Sequence, residues 1–363
     1  MKVTLQRRKF AELFDIAASA TSSTAKDVLG KVLLVVGALD KQLHASNGET
    51  SIVVHYIDAF KSGFEGKVLL DPRRIIPILK ESSGDEVTIE IDGNTIEITT
   101  AEGSYSLPSS DPSEFPRVKV NDDVSVSVAS ATLLEALTLV SFAVDDKSTR
   151  YQLGGVLFQG SGQSLDLVAT DGRRLSTIEV GCDQIDGLIN SIVPSRPLGL
   201  LARCLSDDGG QCEVSFDASS ASFRTGSVTL ITRLVEGRYP NWKTVIPSSE
   251  NCETITLQAS AFAQAVKQAS IVADQESRGI TFYFANDNCG ISARTADIGE
   301  SAVNVPLVYT GSAKLTMDYR FILDWFSRLP KGEAVEMFFK GPGSPTLFVR
   351  GSAKYVVMPM EKN

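Results

Sequence analysis

Alternating and continuous runs of apolar residues predict a protein built mainly from short β-strands. Runs rich in β-branched residues with a period of two, or buried on both faces, are typical of strands. They occur at 52–57, 86–100, 124–129, 164–169, 212–216, 227–233, 253–258, 302–308, 335–340 and 354–358. A few short amphipathic segments stand between these strands, and they show how the chain is organised.

Helical segments of a first kind each follow an opening strand. Their apolar residues fall at i, i+3, i+4 and i+7, which predicts a helix with one buried face. These segments are 10–17, 133–140 and 262–269. Their first residues lie 123 and 129 positions apart, which is the first indication of a repeat.

Helical segments of a second kind follow a later strand and carry an arginine near their start. They are 71–79, 194–201 and 318–326. Asp, Ser and Pro near their starts suit the first turn, where backbone N–H groups lack partners and a fixed φ helps. The arginines are Arg73, Arg196 and Arg320, separated by 123 and 124 positions.

Small landmarks between the helices repeat at nearly the same offset. Gly30, Gly155 and Gly279 each open a strand, and Ala45, Ala169 and Ala293 lie near the end of the next one. Phe115-Pro116 and Tyr239-Pro240 match in the same way. Several landmarks in one order predict three homologous domains, at 1–121, 122–250 and 251–363.

The predicted fold class is α+β, with three tandem domains that each pack two helices on antiparallel sheets. A pair of helices must cover a sheet to bury its apolar face. If the sheets continue across the domain boundaries, the chain forms an arc with one free end at each terminus. A second copy joined head to tail would then close a ring.

Composition fits a soluble protein and excludes several function classes. A chain of 363 residues, 43% hydrophobic and 22% charged, is too long for one core and ordinary for a globular protein. No apolar run reaches the roughly 18 residues of a membrane span, so we expect a cytoplasmic protein. The two histidines leave little material for a metal site or a histidine-dependent nucleophile, so we expect no metal and no cofactor.

Other features narrow the possibilities further. The five cysteines have no C-x-x-C spacing and are interpreted as buried free thiols. No phosphate-binding G-x-x-x-x-G-K-[ST] loop occurs, so the chain has no ATPase motif of its own. The net charge of −9 argues against a surface covered in positive charge, although it allows a local basic face.

Four segments carry a family resemblance. They are ATDGRRL at 169–175, RLVEGRYP at 233–240, RYQLGGVLF at 150–158 and YVVMPM at 355–360. Together they closely resemble the bacterial sliding clamp, the β subunit of the replicative DNA polymerase, and the resemblance extends from Met1 to Met360. It implies a homodimeric ring of six similar domains that encircles double-stranded DNA, gives the polymerase processivity and is not an enzyme. A separate clamp loader would open the ring.

The resemblance also implies a groove between the second and third domains in which polymerases and repair factors dock short peptides. Methionines repack around different ligands, and Gly and Pro shape the backbone, as a site with several partners requires. The positions carried over are Leu153, Thr170, Gly172, Arg173, Arg174, Leu175, Pro240, Val245, Phe321, Val356, Met358, Pro359 and Met360.

Two further sets of residues follow from the implied ring. A ring retains DNA topologically, so weak basic contacts from its inner helices suffice. The residues expected to face DNA are Arg7, Arg73, Lys80, Arg196, Arg203, Lys267 and Arg320. In the dimer interface, Arg74, Ile78 and Tyr105 are expected to face Ile271, Val272, Asp297 and Glu300 of the second copy.

Departures from the family pattern leave alternatives open. At 26–29 the chain reads Lys-Asp-Val-Leu where the family often has Leu-Pro-Ile-Leu. The DNA-contacting loop residue that the family usually has just before this stretch has no clear basic match here, so no DNA contact is assigned to that loop. A paralogous or accessory clamp is one alternative. Another is a triplicated α+β carbohydrate-active enzyme with Asp171 and Glu236 as paired carboxylates, although no aromatic-rich cleft pattern accompanies them.

Overall fold

A computed structural model describes residues 1–22, 24, 27–38, 40–116, 118–120, 123–205, 209–248 and 250–360, with the side chain of Asp186 left out. Within it the chain divides into two units. Unit 1 comprises Met1–Ala131 and Arg196–Leu234, and unit 2 comprises Thr132–Ser195 and Val235–Asn363. The central part of the chain therefore contributes to both units. The loop near Lys26 lies outside the described residues.

The described helices and strands follow one another in a repeating order. The helices are α1 (Arg7–Ala18), α2 (Pro72–Glu81), α3 (Ser130–Val140), α4 (Ser195–Cys204), α5 (Ala259–Ala269) and α6 (Tyr319–Phe326). The strands are β1 (Lys2–Gln6), β2 (Val32–Val36), β3 (Lys41–Ser46), β4 (Thr50–His55), β5 (Phe60–Gly63), β6 (Gly66–Leu70), β7 (Glu86–Asp92), β8 (Thr95–Thr99), β9 (Ser104–Pro108), β10 (Val126–Ala129), β11 (Gly155–Thr170), β12 (Arg174–Pro194), β13 (Gln211–Phe216), β14 (Ser220–Thr225), β15 (Val228–Arg233), β16 (Glu253–Gln258), β17 (Gly279–Ala285), β18 (Asn288–Thr295), β19 (Gly299–Pro306), β20 (Ser312–Asp318), β21 (Ala334–Phe339), β22 (Thr346–Arg350) and β23 (Ala353–Val357).

The helical periodicity is confirmed at all six predicted segments. Each predicted segment lies within, or within one residue of, one of the helices α1 to α6. The apolar stripe is the buried face: α1 buries Phe10, Leu13 and Phe14. Asp71 and Asp318 cap α2 and α6, because each carboxylate accepts a hydrogen bond from the backbone N–H two residues later.

Unit 1 contains two antiparallel sheets. One has the order β5-β1-β7-β8-β9, and the other has the order β10-β13-β14-β15-β4-β3-β2-β6. In the second sheet β15, from the central third of the chain, pairs with β4, from the first third, and Leu230 lies opposite Ile52. The prediction that sheets continue from one repeat to the next is confirmed here.

Unit 2 also contains two antiparallel sheets. Its sheets have the orders β11-β12-β23-β22-β21-β16 and β19-β18-β17-β20. The last strand, β23, pairs with β12 of the central third, and Tyr355 lies opposite Ser176. A sheet therefore crosses this second junction as well.

Two strand predictions were wrong in detail. The run 86–100 is a hairpin, β7 and β8, because Gly93 adopts a φ of 56° in the turn between them. The run 164–169 is only the second half of β11, whose pairing with β12 shifts register around Gly160 and Gly162. The 21-residue strand β12 was not predicted.

The cysteines are free, as predicted, but not all are buried. Cys212 and Cys289 are buried, whereas Cys182, Cys204 and Cys252 are partly exposed. In the part of the chain that the structure describes, every helix is too short or too polar to cross a lipid bilayer.

Candidate functional site

The hairpin between β11 and β12 forms one rim of an apolar pocket in unit 2. Asp171 fixes the turn, because its Oδ1 accepts hydrogen bonds from the backbone N–H groups of Arg173 and Arg174, at 2.9 and 3.0 Å. Gly172 has a φ of 85°, a left-handed conformation that glycine adopts without strain. The hydroxyl of Thr170 donates to the carbonyl of Arg174 at 2.6 Å and closes the turn.

The pocket has a volume of about 160 Å³, which suits one or two large apolar side chains. Its lining consists of Arg150, Leu153, Thr170, Gly172, Arg173, Arg174, Leu175, Pro240, Trp242, Val245, Val356 and Met358. Leu175, Trp242 and Val356 belong to a buried cluster beneath it. Packing therefore holds the floor, while Val245 and Met358, exposed by 44% and 40%, lie at the mouth.

Ten of the residues predicted for a peptide groove line this pocket: Leu153, Thr170, Gly172, Arg173, Arg174, Leu175, Pro240, Val245, Val356 and Met358. The other three lie near it. Phe321 is on α6, and its ring contacts the Arg174 guanidinium. Pro359 and Met360 follow β23, and the backbone N–H of Met360 donates to Thr316 of β20 at 2.8 Å.

Arg174 lines the pocket, but its charged group is fully engaged by the protein. Its Nε donates to Asp171 at 3.0 Å, its Nη1 donates to Asp324, and its Nη2 donates to the carbonyl of Phe142 at 3.1 Å. The side chain is only 10% exposed. Arg174 therefore shapes the pocket wall, whereas the guanidinium of Arg173, which is exposed, is available to a ligand.

Sequence reasoning missed two lining residues, Arg150 and Trp242. Trp242 lies on a short 3-10 helix (Trp242–Thr244), and its Nε1 donates to Gln159 at 3.0 Å. Trp242 and Pro240 also line a second, polar cavity of about 710 Å³. The sequence signal for this wall is only a large aromatic residue two positions after Pro240, and it does not indicate the direction of the side chain.

Arg7 does not belong to a DNA-facing surface, so that prediction was wrong. The residue is 7% exposed. Its Nε donates to the carbonyl of Gly84, and its Nη1 donates to the carbonyl of Leu79 at 2.6 Å. These bonds satisfy carbonyl groups at and after the end of α2, so Arg7 is a structural residue.

The other predicted DNA-facing residues are at least partly exposed, and four of them have carboxylate partners. Arg73 pairs with Asp71 at 2.8 Å, and Arg320 pairs with Asp318 at 2.7 Å. Lys80 and Arg203 both approach Asp15 in unit 1, at 3.9 and 3.8 Å. The remaining two, Arg196 and Lys267, are exposed.

The predicted interface residues are mostly exposed, but Ile78 is an exception. Ile78 is 8% exposed and packs in the core of unit 1, so it offers little surface, and its place in the interface stays a prediction. Arg74 and Tyr105 are exposed in unit 1. In unit 2 the exposed members are Ile271, Asp297 and Glu300, and Val272 is partly exposed. The neighbouring Ile298 is exposed by 56%.

The carboxylates of the rival enzyme interpretation show no catalytic arrangement. Asp171 is committed to the hairpin turn and to Arg174, while Glu236 is exposed on a loop. Within the described ranges, no group of three or more His, Cys, Asp or Glu side chains is arranged to hold a metal ion.

Comparison with known families covers nearly the whole chain. Residues 1–119 match the model of the DNA polymerase III beta subunit, N-terminal domain. Residues 127–241 match the central domain of the same subunit, and residues 243–361 match its C-terminal domain. The three domain models occur once each and in order.

Individual relatives are distant in sequence, and the alignments cover most or all of the chain. A protein named Beta sliding clamp from Escherichia coli (strain K12) is 23% identical over 367 residues, covering 99% of this chain and 100% of the relative. A Beta sliding clamp from Caulobacter vibrioides is 26% identical over 296 residues, covering 78% of this chain and 79% of the relative.

Solved structures share the fold. A DnaN sliding clamp from Pseudomonas aeruginosa bound to griselimycin superposes with a TM-score of 0.93 at 23% identity, with 100% of both chains covered. A DNA polymerase sliding clamp from Bacillus subtilis gives 0.91 at 21% identity, also with full coverage. Three clamp-type domains are therefore present in this chain.

Proposed function

The chain belongs to the DNA polymerase III beta subunit family, and we propose that it is a sliding clamp. In this role two copies close head to tail around double-stranded DNA and hold the replicative polymerase on its template, without catalysing a reaction. The family match supports this function. The main support for ring closure is that the strands at both junctions between the thirds of the chain pair in the same register.

Equivalent strands in the three repeats can be aligned residue by residue. Ala45, Ala169 and Ala293 lie opposite Ile52, Ser176 and Ser301, respectively. These three partners mark the same position on β4, on the first half of β12 and on β19. A second strand type recurs at an interval of 125 residues, with Tyr105 on β9, Leu230 on β15 and Tyr355 on β23.

The two junctions join these strand types in one register. Leu230 lies opposite Ile52, and Tyr355 lies opposite Ser176. The remaining members are Tyr105 and Ser301, on β9 and β19, which are the last strands of their sheets among the described residues. We infer that β9 of one copy pairs with β19 of the other, with Tyr105 opposite Ser301.

This pairing supports the interface as well as the closure of the ring. Free strand edges present unpaired N–H and C=O groups that favour pairing with another chain. Tyr105 and Glu300 were assigned to the interface from sequence, and they fall on these two strands. Ile271 and Ile298, exposed by 76% and 56%, supply apolar surface in unit 2. Two such contacts in a closed dimer would complete a ring of six domains.

The charge pattern supports contact with DNA that is weak and independent of sequence. The chain carries a net charge of −9, so its cations must be concentrated locally to attract phosphate. Six of the cations expected to face DNA lie on helices: Arg73, Lys80, Arg196, Arg203, Lys267 and Arg320. A ring that holds DNA topologically can slide if these contacts exchange easily.

The apolar pocket supports the docking of partner peptides, including those of the polymerase and the clamp loader. Its volume of about 160 Å³ and its methionine at the mouth suit short apolar motifs of differing sequence. Arg150 and Arg173 add positive charge at the rim.

We further propose domain boundaries at 1–121, 122–250 and 251–363, and a cytoplasmic location.

Retention on circular DNA tests this function directly. The chain is loaded onto a nicked plasmid with the ATP-driven loader of the same organism, and bound protein is separated from free protein by gel filtration. A clamp remains on the intact circle and is lost when the plasmid is linearised, since only linear DNA offers an end. Equal loss from both forms would refute the ring.

Sedimentation of the free protein should give a mass near twice the 39.0 kDa of one chain.

A further inference from the structure

Two of the helix arginines are held by an aspartate of the same helix start. At α2, the Asp71 carboxylate accepts from Arg73 three times: from the backbone N–H at 3.0 Å, from Nε at 2.9 Å and from Nη2 at 2.8 Å. At α6, Asp318 accepts from the same three groups of Arg320 at 2.9, 3.2 and 2.7 Å. The same arrangement therefore occurs in the first and third repeats.

The central repeat differs at this position. The equivalent residue, two positions before Arg196, is Pro194, which has no carboxylate. Arg196 is exposed, and among the described residues no Asp or Glu lies within ion-pair distance of it. Within that part of the chain, the three repeats thus present two paired arginines and one unpaired arginine.

We propose that Asp71 and Asp318 act as built-in counter-ions that weaken the phosphate contacts of Arg73 and Arg320, leaving Arg196 as the strongest phosphate contact of the three. This inference rests on the proposed function, because it assumes that these helices face DNA. It adds to that function by naming Arg196 as the residue that sets the strength of phosphate contact, and Asp71 and Asp318 as the residues that limit it.

The argument is one of competition for the same donors. A guanidinium that already donates from Nε and Nη2 to a carboxylate must break both hydrogen bonds before it can bind a phosphate through the same two donors. At longer range the paired charges nearly cancel, so the pair attracts DNA less than a lone arginine does. The hydrogen bonds from Arg73 also keep the pKa of Asp71 below its usual range, so the carboxylate stays charged.

Asp15 extends the pattern to lysine. Its two carboxylate oxygens lie 3.9 Å from Lys80 Nζ and 3.8 Å from Arg203 Nη2. One acid on α1 therefore moderates two cations, one on α2 and one on α4. A clamp whose cations are partly neutralised exchanges phosphates readily, as sliding requires.

The test measures binding of a short fluorescein-labelled duplex by anisotropy across a series of sodium chloride concentrations. The variants are Asp71→Asn, Asp318→Asn and their combination. Asparagine keeps the oxygen that caps each helix, so the helix starts are preserved. The matched control is Glu90→Gln, which removes one charge from an exposed pair with Lys2 (2.9 Å) on the strands β7 and β1.

We expect the combined variant to bind on the order of tenfold more tightly at the lowest salt, with a salt slope steeper by about 0.9 for each additional phosphate that the protein neutralises. Glu90→Gln should behave like the unmodified chain. We also expect Arg196→Ala to weaken binding more than Arg73→Ala or Arg320→Ala does.

Three results would overturn the inference: unchanged binding by both asparagine variants, equal tightening by Glu90→Gln, or equal losses from the three alanine variants. The function is tested separately by retention of the unmodified chain on circular DNA. If retention is normal while the asparagine variants bind as before, only the counter-ion role is refuted. If retention fails, the clamp function is refuted.

Discussion

The guanidinium of Arg174 lies over the ring of Phe321, with 4.6 Å between its Cζ and the ring centroid. This contact joins the start of β12, which forms the pocket wall, to helix α6. The Phe142 ring lies 5.2 Å from the same Cζ, and Asp171 and Asp324 hold the nitrogen atoms. One side chain therefore fixes the position of the pocket hairpin relative to two other segments of unit 2, helix α6 and the turn that contains Phe142.

Replacing Arg174 should destabilise unit 2. Arg174→Ala removes a largely buried cation and leaves Asp171 without its partner, so we expect a loss of about 2–3 kcal/mol in the free energy of unfolding. Urea denaturation followed by fluorescence measures it. Arg173→Ala, at the exposed neighbouring position, should cost little. Equal stability of the two variants would contradict the role assigned to Arg174.

Arg7 should matter for folding and not for DNA. Arg7→Ala leaves the carbonyls of Leu79 and Gly84 without their donor, so we expect about 2–3 kcal/mol of destabilisation. The matched control is Arg8→Ala, one position along α1, where the side chain is exposed. Thermal unfolding compares them. A destabilisation of Arg8→Ala as large as that of Arg7→Ala would argue against this assignment.

The proposed register predicts a specific crosslink between copies. Cβ atoms directly opposite each other on antiparallel strands are about 4.5–5.5 Å apart, whereas diagonal neighbours are about 7–8 Å apart. A disulfide requires the shorter separation. The double variant Tyr105→Cys with Ser301→Cys should therefore form a covalent dimer on mild oxidation, seen on a non-reducing gel.

The control for the crosslink shifts the pair along one strand. Tyr105→Cys with Val303→Cys keeps the same strands and the same face but moves the second cysteine by two residues. It should crosslink much less. Preferential crosslinking of this control pair would show that β9 and β19 pair in another register or do not pair.

A charge placed at the mouth of the pocket should block peptide binding. Val245→Asp introduces a carboxylate into an apolar lining, which an apolar ligand group must desolvate. For a labelled peptide with adjacent Leu and Phe, we expect binding to weaken about tenfold or more. Val308→Asp, at a position that is 84% exposed and outside the pocket lining, is the control. Unchanged affinity of Val245→Asp would place the docking site elsewhere.

Stability should fall in acid because of His44. Burial, and then the positive charge of Lys67, lower the pKa of His44 to about 4 from an ordinary value of 6.5. The folded state therefore disfavours the charged imidazole, so its stability is full above about pH 6.5 and decreases as the pH falls toward 4. The loss approaches about 3 kcal/mol.

Substitution of His44 tests this directly, since the chain has only two histidines. Urea denaturation at several pH values should show that His44→Gln loses less stability between neutral and acidic pH than the unmodified chain. His55→Gln, at an exposed position, removes only a smaller contribution to the lowered pKa of His44 and should retain most of the dependence. Identical pH profiles of the His44 variant and the unmodified chain would refute the assignment.

The repeat made most of the fold predictable. Helices with a period of 3.6 and an apolar face were located within a few residues, because that periodicity reflects burial on one side. The strand β12 was missed because its middle, 181–188, lacks alternation where its pairing with β11 becomes irregular around Gly162. The local pattern of apolar and polar residues does not show which distant strand a segment will pair with.

The functional sites could be predicted only where the place of a residue in the sequence also fixes which residues surround it in the fold. The pocket residues were carried over from the family resemblance, and ten of them line one cavity because strand pairing fixes the neighbours of the hairpin and the tail. Arg7 was misassigned because it precedes the apolar stripe of α1, and its charge gave no sign that the side chain would be buried. Trp242 was missed because a single aromatic residue has no periodicity that would indicate its direction.

The shared strands at the two junctions limit how this protein can be divided. The middle third gives β13, β14 and β15 to a sheet of unit 1, and β11 and β12 to a sheet of unit 2. A fragment cut at the repeat boundaries would therefore leave long sheet edges bare and prone to aggregate. Gene fusions or chimaeras that exchange one third would therefore have to preserve the edge strands on both sides of it.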